Sequence, residues 1–409
     1  MDIVIRNAIL DKTGEQVEIA IDAGKIFTVG GDGNQKGKIE LDAKGGIVSS
    51  AFVEPHFHLE NALIGEAINK SGTLSEAIKI YADIKQKIKS EEIVDRASRV
   101  LKMAISNGTL WLRSHVDIDQ IAGVHLLNAE VIVQKKFKNI IDIQLVAFPQ
   151  LGLARNPEAV DMMWQAMENG ANIVGGMPHG EKTMDDAARH IEIAFEIAKK
   201  YNTDIDMHVD ETDDPYWHSL ELLAEKTIET GWQGRVSAGH CCAMSCWEDN
   251  LVQRVIEKVQ QAKISIIANA PVNMLLQGRK DHHPKRRGVT LVKELLTAGI
   301  NVTCGQDDML NMFYPYGRMD PLEVALITAH AAHLSSPKEI QDAFDMPRTN
   351  AAKCWGIHDY GIEVGNPANL VVLQEGSSID ALRLHSPRQW VIRKGELLYA
   401  NQTLSKWFI

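Results

Sequence analysis

Hydrophobic and polar positions divide the chain into two β-patterned ends around a long middle in which apolar runs alternate with helical periodicity. Near the start, 2–10, 17–21 and 25–29 are short stretches rich in β-branched residues, separated by turn residues such as Asp11-Lys12-Thr13-Gly14 and Asp22-Ala23-Gly24. Near the end, 368–373, 390–393 and 396–399 repeat the pattern, with Lys394-Gly395 as a turn. These read as strands joined by tight turns. Neither end has enough strands for independent stability, so the two are expected to pair into one small β-sandwich.

The middle carries eight apolar runs, at 46–56, 110–117, 141–149, 172–178, 204–211, 235–242, 264–271 and 301–308. Between them, segments such as 91–107 and 187–201 repeat apolar residues every three or four positions, which is helical spacing. Eight strand–helix units predict a (β/α)8 TIM barrel, whose active site is built at the C-terminal ends of the strands. An open doubly wound sheet is the alternative, but no glycine-rich phosphate fingerprint follows any strand. The expected α/β organisation is 1–50 and 359–409 as the two parts of the sandwich, with 51–358 as the barrel. There is no sequence repeat and no low-complexity segment.

Composition narrows the classes of function. Charged residues are 24% and hydrophobic residues 45% of the 409, which is too apolar for a disordered chain. A net charge of −11 repels a phosphate backbone, and one short basic run, Lys285-Arg286-Arg287, is expected to be a solvated face or an ion-pair anchor. No nucleic-acid partner is expected. No run of 18 apolar residues offers a membrane span, and the N-terminus lacks the pattern of a secretory signal. Five cysteines, three of them bunched at Cys241, Cys242 and Cys246, make no disulfide framework and read as small packing residues. The expectation is a cytoplasmic protein with a small-molecule substrate, no membrane partner and a homo-oligomeric state.

The chemistry sits where the runs end. The first closes on Glu54-Pro55-His56-Phe57-His58. Side chains alternate in a strand, so His56 and His58 point the same way and can hold one divalent metal. With 15 histidines, chance alone supplies about half such a pair, so the spacing by itself is weak. Position strengthens it, because the fifth run ends Asp206-Met207-His208-Val209-Asp210-Glu211, the sixth Gly239-His240 and the eighth Gly305-Gln306-Asp307-Asp308. His56, His58, His208 and Asp307 would hold Zn2+ or Fe2+ with a position open for water, whereas structural zinc favours closed cysteine-rich coordination. Such a metal acidifies its water, and a proton shuttle is then needed. Glu211 is placed to shuttle protons and His240 to hydrogen-bond the hydroxide. A surface carboxylate and a core histidine are their structural alternatives.

These stretches, with Ser71-Gly72-Thr73-Leu74, Asn107-Gly108-Thr109, Ser114-His115-Val116-Asp117, Phe148-Pro149-Gln150, Leu276-Gln277-Gly278-Arg279 and Pro284-Lys285-Arg286-Arg287-Gly288, resemble the amidohydrolase superfamily. Within it they are most similar to the bacterial cytosine deaminase branch, over nearly the whole chain. The resemblance implies a single metal on His56, His58, His208 and Asp307, since binuclear relatives need a carboxylated lysine after the fourth strand. Here that strand ends Gly176-Met177-Pro178-His179. It also implies Glu211, His240 and Asp307 as catalytic residues. Gln150, the Leu74 backbone, Asp308 and Phe313 would bind substrate.

Several positions depart from that branch. Glu60 stands where Asp is usual, Gln306 replaces a His, and Phe313 replaces a Trp. The segment His179-Gly180-Glu181-Lys182-Thr183 lacks an expected aromatic, and Cys241-Cys242 replaces hydroxyl residues. The expected function is therefore hydrolytic deamination of a free cyclic amidine, with cytosine or a close pyrimidine analogue first. Creatinine is the nearest rival, giving N-methylhydantoin, with isocytosine, 5-methylcytosine or an aminotriazine as further candidates. A non-catalytic binding protein is the remote alternative, disfavoured because every ligand is kept together with Glu211.

Overall fold

The computed structural model describes residues 1–31, 33–65, 68–402 and 406; within the expected C-terminal segment, 403–405 and 407–409 lie outside the described residues. Eight parallel strands form one sheet in sequence order: Phe52–Phe57, Thr109–Asp117, Asp142–Phe148, Ile173–Gly176, Ile205–Val209, Val236–His240, Ser265–Ala268 and Val302–Cys304. A parallel bridge between Phe57 and Asp307 brings its last edge to its first and nearly closes a barrel. The second and fifth strands are buried along their whole length, as expected of parallel strands covered on both faces.

Helices surround the barrel and bury one stripe each. Ser90–Ser106 buries Ile93, Ala97, Val100, Leu101 and Ala104, spaced by three and four. Met184–Tyr201 starts at Thr183, whose side chain accepts from Asp186 N, and ends at Asn202 in the left-handed region. Among the described residues no helix is long and apolar enough to cross a membrane.

The chain ends form a second eight-stranded sheet: Ile3–Leu10, Gln16–Asp22, Lys25–Val29, Ile39–Asp42, Ile47–Ser50, Leu370–Leu373, Arg388–Arg393 and Glu396–Ala400. Ile47–Ser50 joins the two ends, pairing in parallel with Ile9 and Leu10 and antiparallel with 370–372. Alternation then sorts the side chains. Ile3, Ile5, Ile19, Ile21, Leu370, Val372 and Ile392 make an apolar cluster of their own, while Val371, Leu373 and Val391 join the barrel core. Arg388 and Asp320 form a buried ion pair between this sheet and the N-cap of the barrel helix Pro321–Ala331.

Two features differ from the expectation. The run at 46–56 is not one strand: its first part serves the chain-end sheet and only Phe52–Phe57 enters the barrel. Ile39–Asp42 is an additional strand, with a single buried residue, Leu41. The basic run behaves as an ion-pair anchor, with Arg286 bonded to Asp281 at 2.7 Å and to the carbonyl of Asp213 at 2.6 Å.

Candidate active site

His56 and His58 lie on and just after the first strand and share a direction, as period two requires. His208 comes from the fifth strand and Asp307 follows the eighth. The Nε2 atoms of His56 and His58 each lie 3.2 Å from Nε2 of His208. Oδ1 of Asp307 is 3.4 Å from Nε2 of His56 and 3.5 Å from Nε2 of His58. All four ligand atoms fall within 4.8 Å of one another, and all four side chains are buried.

That donor set fits a divalent cation. Burial, with neighbouring imidazoles, pushes His56 and His208 well below the usual histidine range, so both present lone pairs. Three imidazole nitrogens and a carboxylate oxygen converging on one point are a donor set that suits zinc and related divalent ions. Burial also acts to lower His58, but Glu60, Asp308 and Asp307 prevail and raise it to about 10. Behind it, Glu60 Oε1 lies 3.7 Å from Nδ1, the position from which a carboxylate orients a ligating ring. His115 backs the ring of His56 with a centroid separation of 4.0 Å. Asp206 Oδ1 lies 3.4 Å from His115 Nε2, and its Oδ2 lies 2.5 Å from the Arg113 guanidinium.

Asp307 and the neighbouring His240 have unusual backbone. His240 has φ +70° and Asp307 has φ +67°, both in the left-handed region that non-glycine residues seldom enter. Such strain persists where surrounding structure over-determines it. At Asp307 the cause is visible: its N–H donates to His56 O at 2.9 Å and its carbonyl accepts from His58 N at 3.1 Å.

Glu211 lies just beyond the fifth strand, buried, with Oε1 at 3.4 Å from Nδ1 of His240. Burial, then Asp307 and Asp308, pushes its carboxyl well above the usual range. Asn273 joins the pair, its Nδ2 lying 3.0 Å from Glu211 Oε1 and 3.0 Å from His240 Nδ1. Asn269 Nδ2 lies 3.2 Å from the other ring nitrogen, Nε2.

One pocket gathers His58, Leu74, Gln150, His208, Glu211, His240, Asp307, Asp308 and Phe313. Every sequence-proposed site residue therefore lines it, except His56, which lies behind with its Nε2 among the ligand atoms. Oε1 of Gln150 is buried without a partner. Asp308 accepts from Asn311 Nδ2 at 2.6 Å, and burial, then Asp307, raises its carboxyl to about 7. Leu74 is the first residue of the helix Leu74–Lys85, and Phe313 meets Tyr81 edge-on.

Sequence reasoning missed Asn61, Phe148, Met177, Asn273 and Asn311. Phe148 stacks on His208 with ring centroids 4.0 Å apart, and Asn311 also donates to Asn61 Oδ1 at 2.7 Å. The signal for Asn273 was its place inside the stretch that leads to Leu276-Gln277-Gly278-Arg279. The fourth strand brings no lysine to the site, and His179 beyond it is buried with both ring nitrogens unpartnered.

A family model described as "Amidohydrolase family" matches residues 40–402. The chain is 31% identical to a pterin deaminase of Rhizobium rhizogenes, over 88% of this chain and 82% of that protein. It is 28% identical to the N-isopropylammelide isopropyl amidohydrolase of Pseudomonas sp., over 98% of each. A crystal structure of 5-methylcytosine deaminase from Klebsiella pneumoniae, liganded with phosphonocytosine, superposes with a TM-score of 0.95 at 32% identity, covering 99% of this chain and 100% of that one. This chain belongs to the amidohydrolase family and is a hydrolase acting on C–N bonds.

Proposed function

We propose that the protein deaminates a free six-membered cyclic amidine, with cytosine or a close pyrimidine analogue such as 5-methylcytosine as its best substrate. The observation that carries this reading is a buried Glu211 in the same pocket as the His–Asp cluster and the Gln150 amide, whose Oε1 is buried without a partner. An amide offers a donor and an acceptor side by side, the complement of a ring N–H beside a carbonyl. Similarity to the 5-methylcytosine deaminase supports the same ring class.

His56, His58, His208 and Asp307 would hold one Zn2+ or Fe2+. When bound, such an ion acts as a Lewis acid that brings the pKa of a coordinated water toward neutrality. The chain's own residues then manage the protons. Glu211 takes a proton from the attacking water and gives it to the ring nitrogen as the C=N carbon takes up the hydroxide. The carboxylate so formed collects a proton from that oxygen and delivers it to the exocyclic nitrogen. The C–N bond breaks, ammonia leaves and a carbonyl remains. His240, held by Asn273 and Asn269, fixes the nucleophile's orientation. Gln150 and Asp308 hold the ring edge, and Leu74 and Phe313 close over it.

An aminotriazine is the second reading, favoured by the similarity to the N-isopropylammelide hydrolase. An ammonia-release assay of metal-loaded protein on cytosine, 5-methylcytosine, isocytosine, creatinine and an aminotriazine separates them. Cytosine or 5-methylcytosine should give the highest kcat/KM. A creatinine or triazine value well above both overturns the pyrimidine reading while leaving the proton chemistry in place. Glu211→Gln should lower kcat by about 10²- to 10⁴-fold with metal retained, the usual cost of losing a general acid–base. Near-normal turnover in that variant removes Glu211 from the role.

A further inference from the structure

The loop that carries Gln150 is wrapped around a buried carboxylate that the proposed chemistry leaves unused. After the third strand the chain turns at Pro149, with Gly152 N bonded to Pro149 O at 2.9 Å. The next three backbone N–H groups then point at Glu181: Leu153 and Ala154 donate to Oε1 at 2.7 and 3.0 Å, and Arg155 donates to Oε2 at 3.1 Å. Gly152 has φ +88°, and a Cβ there would lie 2.7 Å from Glu181 Oε1, so the turn closes directly on the carboxylate.

His190 lies on the other side, from the helix Met184–Tyr201, with Nδ1 at 2.8 Å from Glu181 Oε1. Its Nε2 lies 3.0 Å from Met177 N, which can only donate. Nε2 is therefore the lone pair, and Nδ1 carries the proton that bonds Glu181. Leu153 N also faces Nδ1, at 3.3 Å, but is satisfied by its shorter bond to the carboxylate. Both side chains of the pair are fully buried. Burial acts to raise Glu181, yet His190 and the backbone donors prevail and hold it ionised below its usual value.

Met177 and Gln150 line the same pocket. From this geometry we infer that Glu181 and His190 are positioning residues, a clamp that fixes the Gln150 amide against the Met177 wall and so sets recognition of the substrate's ring edge. The inference rests on the proposed role of Gln150.

The test compares KM and kcat for cytosine in Gln150→Ala, Glu181→Gln and their double variant, with metal content and melting midpoint recorded for each. A carboxamide at 181 must face one of four donors with its own N–H. Glu181→Gln is therefore expected to lower kcat/KM by about 10- to 100-fold, chiefly through KM, because misplacing a recognition group loses binding. In the Gln150→Ala background the same change should cost less than about three-fold, since residues acting through one another are not additive. At 190, Asn places a donor where Nδ1 stands, whereas Gln reaches toward Met177 and abandons Glu181. His190→Gln should therefore raise KM at least about five-fold more than His190→Asn. This pair decides the matter should Glu181→Gln fail to fold.

Fully multiplicative effects, or a kcat and stability loss with KM unchanged, would reduce the clamp to a structural role and overturn the inference. An unchanged Gln150→Ala overturns both the inference and the reading of Gln150. Wild-type protein inert toward both cytosine and 5-methylcytosine overturns the pyrimidine reading alone, and the same variants are then compared on the ring that ranks first in the ammonia screen.

Discussion

A methyl group at position 239 would strike the ring of His56, a proposed metal ligand, from the side. Gly239 lies in the sixth strand opposite His208 in the ladder, and its backbone is outside the left-handed region, so alanine is conformationally acceptable there. The obstacle is space. A Cβ on Gly239 would lie 2.9 Å from Cε1 and 3.0 Å from Nδ1 of His56. Carbon atoms in contact prefer about 3.5–4.0 Å, so the ring would have to retreat by roughly 0.5–1 Å. His115 stands behind it at 4.0 Å between centroids, which leaves little room to retreat. Metal–ligand distances tolerate only about 0.2 Å, several times less than the required shift.

Gly239→Ala is therefore expected to weaken Zn2+ binding by about 10- to 100-fold, the range for disturbing what supports a ligand. Overpacking should also cost about 1–3 kcal/mol of stability. Chelator competition gives the affinity, ammonia release at saturating metal gives kcat/KM, and urea unfolding gives the stability. Zn2+ affinity within three-fold of wild type, together with unchanged turnover, would refute the assignment of His56 as a ligand held rigidly by its neighbours.

Elemental analysis after loading with Zn2+ or Fe2+ should approach one equivalent per chain; two tight equivalents, both required for turnover, would contradict the single-metal site. Asn273→Ala removes the amide between Glu211 and His240, and should lower kcat about ten-fold with metal content unchanged, a cost typical of one lost hydrogen bond to a reacting group. Arg388→Met takes the buried guanidinium from Asp320 and should cost about 3 kcal/mol in urea unfolding at pH 7. Burial acts to raise Asp320, but Arg388 and Arg318 hold it below its usual value. The pair's contribution is thus present above the unfolded value near pH 4 and is lost as pH falls through the lowered folded value, so the difference between wild type and variant should shrink as pH falls below about 4.

The strand ends were legible because two rules act locally. Period two puts His56 and His58 on one side, and the barrel runs are short, apolar and bounded, so seven of the eight strands match their runs within about four residues, the exception being the run at 46–56. What escaped depended on distant partners. The run at 46–56 is buried throughout in both of its strands, and burial carries no mark of where a chain leaves one sheet for another. Ile39–Asp42 buries one residue in four, so it has no alternation to detect and exists through its pairing with 3–6. Glu181 is buried only because the fold brings the backbone N–H groups of 153–155 to it, partners that lie 26 to 28 residues away in sequence. Asn273 sits among apolar residues of the helix Ala270–Leu276, where its partners, Glu211 just beyond the fifth strand and His240 at the end of the sixth, cannot be inferred from spacing.

Asp307 shows why a site can be partly written in sequence and still depend on the whole fold. Its carboxylate type and strand-end position are local facts, and they sufficed to propose it as a ligand. Its aim is not local. The two backbone bonds that bring Asp307 against His56 and His58 are the same bonds that join the eighth strand's end to the first. Closing the barrel therefore places the fourth donor beside the first two, and the left-handed backbone at Asp307 is the geometric cost of doing both at one residue. That cost is of order 1–3 kcal/mol, within reach of two backbone hydrogen bonds and the burial around them. A chain that failed to close would keep the His-x-His pair and lose the site.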